Sequence, residues 1–479
     1  MPKTPMRDIV VVIPGITGSV LRKDGKDIWG VSGRVVGSAL FNRNDWIEQL
    51  KLNGNDDPKA NDLGDGIKAS RIIEIPHLIP GLAKSIGYSE LSGLITNKFN
   101  VIKGDIYNND KPANFFKFYY DWRRDNRVTA RLLKRLLDER LKQWREYTGI
   151  KDAKVILLAH SMGGLVCRYY VEVLEGWRDC KALFTFGTPH RGSVKAVNFL
   201  ANGYKQLFLE LTEVMRSLTS IYQLLPIYET LQIGNEYYRI GETDNLPNID
   251  KTRAADALKF HRKIEAAVKI NIKDENYKKD FTTIPIVGIK QPTFQSALLA
   301  NGKLSVSEKL PIKLQSRPDL SDGDGTVPQV SAIPIELSNS LNNNFIAETH
   351  GSLQNQSQIL ENLFNCLKFS QFDLAGVRAQ QPAISLSLDD LYLPSEPIEI
   401  RGRVISSSPA NEKLKAIITS VSHSETALNL DFKEQEKEWT LAIDALKPGL
   451  YLLKVETEKS GEQFPTPVHD LFEVTGVNS

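Results

Sequence analysis

Apolar and polar positions divide the chain into three stretches with different rhythms. In the first, unbroken apolar runs alternate with amphipathic segments of helical length. Ile9-Val10-Val11-Val12-Ile13 contains no polar residue and stops at Pro14-Gly15, the pattern of a strand buried on both faces. Residues 126–147 place Val128, Leu132, Leu133, Leu136, Leu137, Leu141 and Trp144 on one helical face, and Gly149 supplies the stop. Val155-Ile156-Leu157-Leu158 reads as a second buried strand, and a helical pattern over about 162–175 follows it. Ala182–Phe186 and Ile284–Ile289 read as further strands. Strands separated by helices predict an α/β fold, with a mostly parallel sheet covered on both faces.

Two insertions interrupt this alternation. Residues 30–100 are rich in Asn, Asp, Gly and Pro, and residues 195–280 read as largely helical, with apolar residues concentrated around Phe199, Leu207–Leu211, Leu218, Ile221, Leu224 and Leu225. Insertions of this kind form caps over a site or stand as satellite subdomains, and both readings remain open. Beyond about residue 372 the rhythm becomes short and alternating: Ala383–Leu388, Ile398–Val404, Lys413–Ser420, Ala427–Phe432, Trp439–Ala445, Leu450–Glu456 and Leu471–Val474, divided by Pro, Gly and Ser turns. Seven such segments predict an immunoglobulin-like β-sandwich. The expected organisation is an α/β domain over 1–370 with insertions at about 30–100 and 195–280, then a β-sandwich over 380–479. The linker should end near Gln380-Gln381-Pro382.

Composition narrows the partners. A formal net charge of +2 on 479 residues leaves no broad electrostatic footprint for nucleic acid. The basic stretch Arg131–Arg145, interleaved with leucines, reads as the solvated face of a helix. Three cysteines, Cys167, Cys180 and Cys366, form no CxxC pair, which favours a reducing compartment. The apolar run at 9–13 is too short for a signal-peptide core or a membrane span, so the expected location is cytoplasmic, with any membrane contact peripheral.

Chemistry concentrates at Val155–Val166, where an apolar strand runs through Ala159-His160-Ser161-Met162-Gly163-Gly164 into a helical pattern. A small-x-Ser-x-Gly turn between strand and helix is a nucleophile elbow, which needs small residues because strand and helix approach closely. A serine hydroxyl is a poor nucleophile without a base held by a carboxylate, and in this architecture the chain order is Ser, acid, His. His190 precedes the best acid candidate, His261 sits in a charged helical stretch, and His423 and His469 read as surface residues of the β-sandwich. His350, in a late loop before a helix, is the candidate base. In Ser321-Asp322-Gly323-Asp324-Gly325-Thr326-Val327-Pro328, Asp324 is the candidate acid and Asp322 a turn residue. A calcium loop starting at Asp322 is not supported, because its twelfth position would be Ile333 and its sixth is not glycine. No metal or organic cofactor is expected. Oxyanion donors are expected from the backbone N–H groups of Met162 and of Ile16, in the loop Pro14–Ser19 after the first strand.

Several of these segments together resemble the lecithin:cholesterol acyltransferase-like family of lipases and acyltransferases. The matching pieces are Val12–Ser19, Tyr120-Asp121-Trp122-Arg123, Ala159–Gly164, Phe186–Ser193, Leu224-Leu225-Pro226 and Gly323–Pro328, in the family's order over residues 8 to about 366. The resemblance implies an α/β-hydrolase fold and a triad of Ser161 as nucleophile, His350 as proton shuttle and Asp324 orienting it. It also implies a structural ion pair between Asp121 and Arg123 near the site. Trp29 would lie at an acyl pocket by the same resemblance, while its own context reads equally as a core anchor. The implied substrate is a lipid acyl ester, with phospholipids among the candidates, and the product depends on whether water or an alcohol takes the acyl group. A soluble esterase for small acyl esters and a non-catalytic binding protein on the same fold are the rival readings. For the β-sandwich, a protein partner, oligomerisation and passive stabilisation are all open.

Overall fold

A computed structural model of the chain describes residues 2–30, 45–52, 56–79, 83–108, 110–206, 209–338, 344–369, 382–405, 413–435, 438–459 and 464–476. Six strands form one sheet: β1 (Ile9–Ile13), β2 (Phe115–Lys117), β3 (Val155–His160), β4 (Cys180–Phe186), β5 (Thr282–Gly288) and β6 (Asn344–Ile346). Their spatial order is β6-β5-β4-β3-β1-β2, and every neighbouring pair is parallel.

The apolar runs become strands because both faces of this sheet are covered. Ile9, Val11, Ile13, Leu157 and Leu183 pack in one core with Leu133, Leu137 and Leu141 of helix α1 (Asn126–Thr148). Val10, Val12, Ile156, Leu158, Phe184 and Ile286 pack in a second core on the other side. Helix α1 starts where the Asp125 carboxylate accepts the Arg127 N–H and ends at Gly149, whose φ of 75° gives the left-handed stop expected from the sequence. Its basic face is not wholly solvated. Arg140 is buried and donates from Nε to the Ile106 carbonyl at 3.2 Å, so this arginine belongs to the packed side. Helix α2 (Met162–Arg168) leaves β3 directly and passes into a π turn over Tyr169–Val173.

The chain moves from β1 to β2 on one flank and to β3 on the other. The loops leaving the carboxyl ends of β1 and β3 therefore diverge, and ligand crevices form at such switch points. Both insertions border this end. The first is more than loop: Ile67–Ile72 pairs with Ser19–Lys23, and Ser89–Lys98 is helical. The second contains the helices Val194–Asn202, Thr212–Ser217, Thr219–Tyr222, Lys251–Asn271 and Glu275–Asp280, but strands occupy part of the stretch between Tyr222 and Lys251. Leu231–Ile233 and Glu236–Tyr238 form a hairpin, which joins a second hairpin of Ser296–Ala300 and Lys303–Ser307 in one four-stranded sheet. The two-residue turns Gly234-Asn235 and Asn301-Gly302 explain this, since Gly234, Asn301 and Gly302 take the positive φ that tight hairpins require. This layer therefore continues past β5, beyond the expected limit at 280.

The C-terminal unit contains β7 (Ala383–Ser387), β8 (Leu391–Tyr392), β9 (Ile398–Ile405), β10 (Leu414–Ser420), β11 (Leu428–Asp431), β12 (Lys433–Gln435), β13 (Glu438–Ile443), β14 (Gly449–Thr457) and β15 (Val468–Val474). They form two sheets, β7-β9-β13-β12 and β8-β15-β14-β10-β11. Ile384 and Ile400 from one sheet share a core with Ala416, Leu453 and Phe472 from the other. Each segment expected to be a strand is one, and β8 and β12 are short additions. The linker expected to end at residues 380–382 falls mainly outside the described residues. Among the described residues no helix is long and apolar enough to cross a membrane.

Candidate active site

Strand β3 ends in a sharp turn at Ser161, whose φ of 52° and ψ of −128° lie outside the regions where a serine is comfortable. Several contacts hold it there. The Ser161 N–H donates to the Phe186 carbonyl at 2.9 Å, and the Thr188 hydroxyl donates to the Ser161 carbonyl at 2.9 Å. The neighbouring backbones approach so closely that side chains are excluded. A Cβ on Gly15 would lie 2.8 Å from Ser161 Cβ, and one on Gly163 would lie 2.9 Å from Ile13 Cγ2. The small residues of the motif are therefore a packing requirement, and the geometry is that of a nucleophile elbow in an α/β-hydrolase-like fold.

The three side chains singled out from the sequence meet at this turn. His350 Nε2 lies 2.9 Å from Ser161 Oγ, and His350 Nδ1 lies 2.7 Å from Asp324 Oδ2. The carboxylate can only accept, so Nδ1 carries the proton toward it and Nε2 is left to accept from the serine hydroxyl. Asp324 is almost fully buried and is fixed from behind, its Oδ1 accepting the N–H groups of Thr326 at 2.9 Å and Val327 at 2.7 Å. Its carbonyl also accepts the His350 N–H at 2.8 Å, so Asp324 and His350 are joined through backbone as well as side chain. Asp322 is the turn residue of this loop: its φ is 64°, and its carbonyl accepts from Gln295 Nε2 at 2.6 Å.

Two residues that sequence reasoning passed over complete the arrangement. The Gly15 N–H donates to the Tyr88 hydroxyl at 2.9 Å, and that hydroxyl lies 2.9 Å from His160 Nδ1. His160 Nε2 lies 2.9 Å from the His350 carbonyl, which can only accept. This fixes the proton of His160 on Nε2 and makes Tyr88 the donor to Nδ1. Burial pushes His160 down to about 3, assisted by the adjacent His350, so its ring is neutral. The chain Gly15–Tyr88–His160–His350 thus ties together the loop after β1, the elbow and the histidine loop. His160 stands next to the serine in sequence, but no motif in the sequence points to Tyr88.

A cleft enclosing about 690 Å³ of space open to solvent lies over Ser161 and His350. Its walls come from both insertions. Tyr88, His77 and Lys84 belong to the first, and Phe199, Ile221 and Leu224 to the second. Lys195 also lines it, with Nζ 5.9 Å from the Phe199 ring centre, and burial pulls its ammonium below the usual lysine range. Ile16 borders the cleft, and Met162 is buried immediately after the serine. Among the described residues no group of three or more His, Cys, Asp or Glu is placed to hold a metal ion.

Residues 90–298, which include the elbow, match the family model described as Lecithin:cholesterol acyltransferase. Over that stretch the chain is similar to the lecithin:cholesterol acyltransferase-like family. The match supports a lipase- or acyltransferase-like activity. The matched stretch ends before Asp324 and His350, so their place beside Ser161 rests on geometry. No curated protein matches the chain. Among solved structures, Bacillus licheniformis lipase BlEst2 in its propeptide form is 14% identical, with 99% of this chain and 94% of that chain covered at a TM-score of 0.33. The mature form of the same lipase is 13% identical, with 77% of this chain and 94% of that chain covered at a TM-score of 0.31. Likeness this low carries no functional argument.

The remaining residues implied by the lecithin:cholesterol acyltransferase-like resemblance divide into two groups. Asp121 and Arg123 do pair, at 2.9 Å through Nε and 2.6 Å through Nη2, and Asp65 adds a third contact to the fully buried guanidinium at 2.8 Å. Trp29 does not line the cleft. Its indole donates to the Thr17 carbonyl at 2.9 Å and its ring packs 4.8 Å from Trp122, which makes it an anchor for the loop after β1. Two histidines differ from expectation. His261, placed on a solvated helix face from its charged neighbours, is buried, with Nε2 donating to the Gln223 carbonyl at 2.7 Å, because its face of the helix packs against the residues near Gln223. His469, expected on the surface, is only 28% exposed and pairs with Glu348 at 3.1 Å.

Proposed function

We propose that this chain is a serine-dependent acyl-ester hydrolase or O-acyltransferase that works through an acyl-enzyme on Ser161. The observation that carries the reading is the unbroken line from Ser161 Oγ through His350 to Asp324, at 2.9 and 2.7 Å. His350 Nε2 accepts the hydroxyl proton as Oγ bonds to the acyl carbon. The tetrahedral oxyanion then collapses, the ester oxygen leaves with the proton from His350, and the acyl group stays on Ser161. Water or an alcohol, deprotonated by the same imidazole, releases it. The N–H groups of Met162 and Ile16 stabilise the oxyanion. Two facts support Ile16: the Gly15 N–H is engaged by Tyr88, and the backbone at Gly15 lies against Ser161. Losing one such donor costs about 2.7–4 kcal/mol of transition-state stabilisation.

The proposed substrate is a lipid acyl ester. The apolar wall of Phe199, Ile221 and Leu224 suits an acyl chain, and the Lys195 ammonium beside it suits an ester that carries an anionic group, as phospholipids do. The two-sheet C-terminal unit is read as an immunoglobulin-like sandwich domain over 380–479. Three free, buried cysteines support a reducing, cytoplasmic setting. The test compares wild type with Ser161→Ala, using a fluorophosphonate probe and phospholipid vesicles analysed by mass spectrometry. Labelling and acyl release or transfer that disappear in Ser161→Ala are expected. Equal labelling and turnover in both proteins would defeat the reading, and turnover of short-chain esters alone would place the enzyme among small-ester esterases.

A further inference from the structure

The loops bearing Asp324 and His350 do not stand alone at the crest of the sheet. Glu348, two residues before the histidine, is fully buried, and its carboxylate is satisfied largely from the C-terminal unit. Oε1 accepts the His469 N–H at 2.9 Å, Oε2 lies 3.1 Å from His469 Nδ1, and the local Thr349 N–H adds a third bond at 2.9 Å. The His469 carbonyl in turn accepts the hydroxyls of Thr349 at 2.6 Å and Ser352 at 3.2 Å. One residue of β15 therefore bonds to the loop on both sides of His350.

A second grip holds the acid loop. Gln291 pairs by backbone with Gly323, one residue before Asp324, donating at 2.9 Å and accepting at 3.2 Å. Its buried side chain spans to β7, with Nε2 donating to the Ile384 carbonyl at 2.9 Å and Oε1 accepting the Leu386 N–H at 3.0 Å. A third contact reaches the cleft wall, where Lys84 pairs with Asp390 at 2.7 Å and Asp470 at 3.0 Å. Strands from both sheets of the C-terminal unit are thus fastened to the two segments whose spacing sets the Asp324–His350–Ser161 line.

We propose that the C-terminal unit is a positioning element for the reaction centre, acting through Glu348–His469 on the histidine loop and through Gln291 on the acid loop. The inference rests on the triad reading above. Without the His469 ring, Glu348 Oε2 loses its donor, and a buried carboxylate short of a donor moves toward water or draws other donors in, carrying His350 with it. A displacement of about 1 Å at a reacting group costs roughly 10²-fold in rate. Glu348, His469 and Gln291 touch no reacting atom, so their effect falls on turnover and not on substrate affinity.

The test uses the full chain. His469→Ala and Gln291→Ala are each compared with wild type for kcat, KM and the rate at which a fluorophosphonate labels Ser161, at a temperature where melting curves show every variant folded. His469→Asn restores an N–H where the ring Nδ1 donates, and Arg403→Ala breaks an exposed ion pair elsewhere in the unit. The expected result is a fall of 10- to 100-fold in kcat and in labelling rate for the two alanine variants, with KM within about twofold. His469→Asn should recover most of the loss, and Arg403→Ala should show none. Unchanged kcat and labelling in folded His469→Ala and Gln291→Ala would overturn the proposal while leaving the triad standing. Full activity in Ser161→Ala would instead remove the triad reading itself.

Discussion

Gly187, at the end of β4, is the point where a single methyl group tests the site most directly. Its φ is 56°, and a Cβ there would lie 2.8 Å from Asp324 Oδ2, 2.9 Å from Leu353 Cδ1 and 3.0 Å from His350 Nδ1. Gly187→Ala therefore has two costs. The left-handed backbone costs about 1–2 kcal/mol for a residue with a Cβ, and overpacking a filled space adds about 1–3 kcal/mol. The sum is about 2–5 kcal/mol. Gly149→Ala separates the two, because Gly149 has a φ of 75° with nothing within 4 Å of the added Cβ. It should lose about 1–2 kcal/mol and no activity. The neighbours best able to yield at Gly187 are the Asp324 carboxylate and the His350 ring, and their separation should reduce kcat/KM by about 10²-fold. Urea unfolding gives the stabilities, and hydrolysis of a chromogenic ester gives the rates. If folded Gly187→Ala hydrolyses the ester within twofold of wild type, the Asp324–His350 contact is not where this chain sets its rate.

Asp324→Asn should lower kcat by about 10⁴-fold through loss of the correct imidazole tautomer, whereas Asp322→Asn, which keeps a residue tolerant of positive φ, should stay within a few-fold in the same ester assay. Acid should destabilise the fold below about pH 6.5. Burial pushes His77 and His261 down to about 4 and His160 to about 3, and it pulls His190 well down. The folded chain keeps these rings neutral while the unfolded chain protonates them, so stability is intact above 6.5 and is lost as pH falls below it, by roughly 2 kcal/mol at pH 5 for each of His77, His160 and His261. Glu473 opposes this. Burial pushes its carboxyl up to about 7, so the folded state holds that proton more tightly and regains about 2 kcal/mol between pH 7 and 5. Urea midpoints that stay level from pH 7 to 5 would contradict the balance.

Four of the six sheet strands were legible because they are buried on both faces, whereas Phe115–Lys117 and Asn344–Ile346, three residues each, are too short to carry a pattern. A β-branched run such as Ile9–Ile13 has no polar position to confuse its assignment. The turn at Ser161 was legible because strand, small residues and helix follow one another in one continuous segment. Asp324 and His350, which the structure brings beside Ser161, followed from chain order, which left few candidates. What stayed hidden depends on contacts between distant segments. Nothing near His469 distinguishes it from a surface residue until β15 is docked on the 348–352 loop. Charged neighbours put His261 in water, but a helix presents alternate faces, and one inward position among lysines and arginines carries no local mark. The hairpins at Gly234-Asn235 and Asn301-Gly302 did have a sequence signal, which the surrounding helical pattern outweighed.

Two imidazoles lie side by side at the centre of this site, with ring centres 5.0 Å apart, and the mechanism needs only one of them to change charge. In the proposed reaction His350 becomes an imidazolium as it takes the serine proton, and Asp324 compensates it. A second positive ring at that distance would oppose the step by about 3 kcal/mol at an effective dielectric of ~20, roughly two orders of magnitude in rate. The burial that keeps His160 neutral removes this opposition. The neutral ring is still useful: its Nε2–H holds the His350 carbonyl, and its Nδ1 orders the Tyr88 hydroxyl that receives the Gly15 N–H. A residue beside the nucleophile thus works as a polar strut because its environment denies it a proton. A phenylalanine there would keep the volume but leave Tyr88 without its acceptor and the His350 carbonyl without its donor.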